Sequence, residues 1–102
     1  MPHVYILECS DGSYYVGSTR DLEGRFEQHA TGAGASYTRG RLPVTLVFAE
    51  EYDRVDEAFA REKQIQGWSR AKRAALVARS AETLPTLSGS RYRRRADFDT
   101  RP

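Results

Sequence analysis

The sequence of 102 residues predicts a small single α/β domain with the element order β-β-α-β-α-α. Three observations predict it. Two β-branched and aromatic segments follow one another near the N-terminus, joined by a turn signal. A third apolar segment stands alone at 44–49, with helical spacing before and after it. Hydrophobic residues make up 39% and charged ones 29%, which supplies one small core and not two.

The first strand is His3-Val4-Tyr5-Ile6-Leu7-Glu8-Cys9, and the second is Ser13-Tyr14-Tyr15-Val16-Gly17. Ser10-Asp11-Gly12 between them predicts a hairpin with Gly12 at a positive φ. In that three-residue register Tyr5 lies opposite Gly17 and Tyr15 opposite Leu7, so both tyrosines share one face of the sheet. Gly17 then leaves room beside Tyr5 for a ligand. Asp21 is the expected N-cap of a short helix, about residues 22–30. Its spacing sends Leu22 and Phe26 to the core and places Arg25 and His29 at the sheet edge. Residues 31–43 read as a loop ending at Pro43, and 44–49 as a central strand because it is nearly all apolar. Asp56 is the expected cap of a helix over about 57–67, and Ser69 of another over about 70–79. Residues 1–79 therefore form the domain, and 80–102 read as a basic, unpacked tail carrying Arg91, Arg93, Arg94 and Arg95.

The lone Cys9 excludes an internal disulfide, and the absence of a Cys/His cluster excludes a zinc finger. No apolar run reaches membrane-spanning length, and the N-terminus lacks a signal-peptide pattern, so a cytoplasmic protein is expected. Net charge is only +2, but residues 1–60 carry −5 and residues 61–102 carry +7. Fourteen of the sixteen basic residues are Arg, whose planar fork suits phosphate oxygens. The split predicts a face for a polyanion, formed by Arg61, Lys63, Arg70, Lys72 and Arg73 with Arg39 and Arg41 from the loop.

Glu62 lies on the apolar stripe of its helix, four after Ala58, three after Phe59 and three before Ile65. A carboxylate there must meet a cation, a metal or a donor network, and a structural salt bridge competes evenly with a metal ligand. Two tyrosines, Arg25, His29 and Glu62 together suit phosphodiester hydrolysis. Water needs a base, a hard cation needs an oxygen ligand, and the strained phosphate needs a fixed positive charge. No second carboxylate pairs with Glu62 by sequence, which fits a single divalent ion.

Val4-Tyr5 followed ten residues later by Tyr15-Val16-Gly17 resembles the signature of the GIY-YIG nuclease superfamily. Arg25, His29 and Glu62 match the spacing of that family's arginine, its histidine-or-tyrosine and its metal-binding glutamate. Gly34-Ala35-Ser36-Tyr37-Thr38-Arg39-Gly40-Arg41 with Pro43-Val44 is similar to the small stand-alone bacterial YhbQ-type group, itself similar to the nuclease subunit of the eukaryotic Slx complex. Ser18 stands where some relatives have lysine. The resemblance implies a three-stranded antiparallel sheet flanked by helices. It also implies metal-dependent cleavage of DNA, with one Mg²⁺ or Mn²⁺ on Glu62, a tyrosine as base, Arg25 on the scissile phosphate and His29 assisting. Structure selectivity in repair or recombination is the expected role. The alternative is a nucleic-acid-binding module that keeps the fold but cuts weakly, or only with a partner protein that supplies targeting.

Overall fold

The computed structural model describes residues 1–80, so the tail expected at 80–102 lies outside the described residues apart from Ser80. The elements are β1 (His3–Glu8), β2 (Tyr14–Thr19), α1 (Leu22–Ala30), α2 (Ser36–Arg39), β3 (Thr45–Glu51), α3 (Val55–Gln66) and α4 (Arg70–Ser80). They build one antiparallel sheet with strand order β2-β1-β3.

The β1–β2 hairpin has the expected register, with Tyr5 opposite Gly17 and Leu7 opposite Tyr15. Gly12 takes φ +85° at the turn, a region side chains avoid. The sheet separates two cores. Val4, Ile6 and Val16 pack with Ile65, Leu76 and Val77 on the α3/α4 side. Tyr5 and Leu7 pack with Leu22, Phe26 and Leu46 on the α1/α2 side.

The central strand is β1, not the third segment. Four consecutive β1 residues, Val4 to Leu7, are at most 1% exposed because each side of the strand meets its own core. The apolar run of β3 has another cause. A register shift opposite Ile6/Leu7 lets Val47 and Phe48 both serve the α3/α4 core while Leu46 serves the other.

Asp21 caps α1 as expected, accepting from the Gly24 N–H at 3.1 Å, and Ser69 caps α4 by accepting from the Lys72 N–H at 3.2 Å. Asp56 is not a cap. Helix α3 starts at Val55, two residues before the expected start and behind Arg54, and Asp56 in its first turn forms a two-pronged pair with Arg54 at 3.0 Å. The stretch 31–43 contains the single helical turn α2. Phe59 is 52% exposed and does not join the apolar stripe of α3, whose buried members are Ala58 and Ile65.

Candidate active site

His29 does not stop at the sheet edge; it is 0% exposed. Both ring nitrogens have partners. Nδ1 lies 2.8 Å from Thr38 Oγ1, and Nε2 lies 3.0 Å from the Tyr5 hydroxyl. Thr38 Oγ1 donates its one proton to the Ala35 carbonyl at 3.0 Å. The threonine oxygen must therefore accept from the imidazole, which assigns the proton to Nδ1. That leaves the Nε2 lone pair to accept from the Tyr5 O–H. Three buried groups thus form a directed row, Tyr5 to His29 to Thr38, ending on the backbone of α2.

Gly34 makes the packing possible, because a Cβ there would stand 2.5 Å from His29 Nδ1. Gly17 serves Tyr5 in the same way, since a Cβ there would meet the Tyr5 hydroxyl at 2.5 Å. The space over Gly17 that the sequence reserved for a ligand is filled by the phenol of Tyr5 itself.

Burial pushes the Tyr5 phenol up to about 12, against the pull of a hydrogen bond from Arg25. Burial, helped by the nearby Arg25 cation, pushes His29 down to about 4. At neutral pH the row is therefore a protonated phenol facing a neutral imidazole. Arg25 is held charged, first by its hydrogen bond to Tyr5, and it also donates to Gln28 at 2.8 Å. Tyr15, half-buried, stands between ring neighbours, with centroids 6.4 Å from Tyr5, 5.0 Å from His29 and 6.1 Å from Tyr37.

Glu62 comes from the other side of the sheet. Its Oε1 accepts from the Ser18 hydroxyl at 2.6 Å and its Oε2 from the Gln66 amide at 2.8 Å. Among the described residues no cation lies within ion-pair distance of it, so the expected alternative of a structural salt bridge is not formed. Its negative charge acts on Tyr5. The two halves of the site thus meet at Gly17–Ser18, where Tyr5 crosses one residue and Glu62 grips the next. A half-buried carboxylate with hydroxyl and amide neighbours and no counter-ion fits a hard divalent cation that keeps most of its waters. No group of three or more His, Cys, Asp or Glu gathers among the described residues, so Glu62 would be the one acidic ligand.

The sequence model of the GIY-YIG catalytic domain matches residues 1–74. The chain belongs to the GIY-YIG family. That family is one of DNA nucleases, generally dependent on a divalent metal. A UPF0213 protein of Halobacterium salinarum is 53% identical over 76 residues, 74% of this chain and 99% of the relative. One of Staphylococcus aureus is 46% identical over 74 residues, 72% of this chain and 90% of the relative. The solution NMR structure of the UPF0213 protein BH0048 from Bacillus halodurans matches with a TM-score of 0.51 at 46% identity, covering 76% of this chain and 84% of that one.

Around this GIY-YIG site the basic residues divide. Arg73 donates to the Ile65 and Gln66 carbonyls at 3.1 and 2.7 Å, closing the end of α3 beside Tyr14 and Tyr15. Arg70 stands over Tyr14 at 4.5 Å and Arg41 over Tyr37 at 3.9 Å. Arg41 also pairs with Asp11 at 3.1 Å. Arg61 points to the far edge of the sheet, pairing with Glu50 of β3 at 3.1 Å. Lys63 and Lys72 stand over Phe59 and Trp68 at 4.8 and 4.3 Å, and Arg39 is exposed on α2. Five of the seven expected DNA contacts thus rest on aromatic faces, which fixes where their charge is presented.

Three residues of the site escape the sequence reading. Gln66 follows Glu62 by four, a spacing that puts both on one helical face. Ser18 is visible only as a departure from the family pattern. Thr38 lies nine residues from His29 across a turn, and no periodicity connects them.

Proposed function

We propose that this protein is a divalent-metal-dependent DNA endonuclease that hydrolyses phosphodiester bonds in branched, nicked or single-stranded DNA, acting in repair or recombination in the cytoplasm. The observation that carries the reading is the Tyr5–His29–Thr38 row meeting Arg25 and Glu62 at one point of the β2 edge. Arg25 takes the phosphate. Pairing with phosphate quiets the arginine charge, which removes one of the two causes that hold His29 down. Tyr5 accepts the proton of the attacking water as its own proton passes to His29 Nε2. Tyr15 lacks a base of this kind behind it, so Tyr5 is the stronger candidate. Glu62 would hold the divalent ion, which would supply positive charge at the scissile phosphate and acidity for the attacking water.

Tyr5 is only 1% exposed, and that favours a second reading in which cleavage is weak until a partner protein or the DNA uncovers the phenol. The test is Glu62→Gln. Because Ser18 and Gln66 are neutral partners, the variant should keep its melting temperature and its DNA affinity in EDTA. Nicking of branched and single-stranded DNA in Mg²⁺ should fall about 10²–10³-fold. Undiminished nicking by the pure variant refutes the assignment of Glu62.

A further inference from the structure

A recess of about 260 Å³ opens at the free edge of β2, lined by Tyr14, Tyr15, Val16, Tyr37, Gln66 and Arg73. It shares Tyr15 with the His29 cluster and Gln66 with Glu62. Gln66 and Glu62 are one helical turn apart, about 6 Å along α3. A single nucleotide therefore spans the distance from the Glu62 carboxylate to the recess. We propose that this recess receives the base of one unpaired nucleotide next to the scissile phosphate, an inference that rests on the nuclease reading and adds the substrate feature it selects.

Chemistry and size both support a nucleobase. Three of the six lining residues are tyrosines, Tyr37 and Tyr15 are themselves stacked at 28°, and no carboxylate is among the six. Arg41 stands over Tyr37 and Arg70 over Tyr14, so two of the three aromatic walls carry a cation. Ring faces and guanidinium planes both stack on bases, and the guanidinium cations also attract the flanking phosphates. The volume takes one flat ring system with part of its sugar, and a paired, stacked base is withheld from it by its own duplex. The Gln66 amide is spent on Val16 and Glu62, and Arg73 is spent on the end of α3. With the Gln66 Nε2 and the Arg73 Nε and Nη2 engaged in this way, stacking on the ring faces carries the recognition, which selects for an unpaired base over a particular sequence.

The test uses the full chain in EDTA, where no cleavage occurs, and a duplex carrying one unpaired 2-aminopurine. Three probes are compared: this duplex, the same duplex fully paired, and the same bulge with an abasic site. The unpaired base should bind about tenfold tighter than either control, with quenching of its fluorescence. Tyr37→Leu should remove the quenching and most of the tenfold preference. Equal affinity for base and abasic bulge overturns the recess, whatever the variant does, while leaving the nuclease reading intact. Failure to bind any of the three DNAs overturns the nuclease reading and the recess with it.

Discussion

On the α1/α2 side of the sheet, the polar groups of the site are sealed in and bonded to one another: Tyr5, His29 and Thr38 are each at most 1% exposed. On the α3/α4 side, the working groups stand at the surface, with Glu62 half-buried and Arg70 and Lys72 exposed over aromatic rings. The same strand, β2, borders both sides. Under the proposed function, the difference reflects what each side would handle. A proton must be passed between atoms fixed to within a hydrogen bond, which low mobility and exclusion of water favour. A hydrated cation and a polyanion must come and go, which requires exposed charge. Arg25, the cation that bonds to Tyr5 on the sealed side, is only partly covered.

The largest expected effect comes from breaking the sealed row at its head. Tyr5→Phe should lower the rate of nicking about 10²–10⁴-fold, the usual range for loss of a general base. It also leaves His29 Nε2 without its donor, costing roughly 1–3 kcal/mol of stability. Tyr15→Phe, on the same face but with no imidazole bond, should cost much less of the rate. Equal losses in single-turnover nicking would place the base at both tyrosines or at neither.

A smaller effect should follow at the other end of the row. Thr38→Val keeps the shape and removes the acceptor of the His29 Nδ1 proton, leaving a buried N–H unpaired at a cost of roughly 1–3 kcal/mol. The rate should drop about 10–100-fold, as for other groups that orient an imidazole through its second nitrogen. Thr38→Ser should restore both. The discriminating measurement is the ¹⁵N spectrum of His29, which should show the Nδ1–H form in the parent and a mixture of forms in Thr38→Val. An unchanged spectrum means that Thr38 does not set the tautomer.

The exposed side should respond in small steps. Arg70→Ala, next to the recess, should weaken DNA binding and reduce the salt dependence by about one counterion. Arg61→Ala, at the β3 edge and engaged with Glu50, should change affinity and salt slope less. Titrations at several salt concentrations separate the two. If Arg61 proves the stronger contact, DNA crosses the α3/α4 face towards β3 and away from the recess.

Much of this arrangement follows from short stretches of the chain. Gly12 and the three-residue turn settle the hairpin register, because positive φ is a local property. Asp21 caps α1 because its side chain reaches only three residues on. Glu62 stands out because one carboxylate interrupts an apolar stripe whose neighbours are within a helical turn. Tertiary structure decided the rest. The β1 strand became central because a single apolar run does not state how many faces it will bury. His29 went to full burial because Thr38, Gly34 and Tyr5 together offered it a satisfied pocket, and each lies on a different element or loop. Glu62 and Tyr5 meet only because the edge of β2 lets two sides of one sheet come together at Gly17–Ser18. Local dihedrals and caps are fixed by neighbours in sequence, whereas hydrogen-bond partners across a core are chosen by which chain segments close on one another.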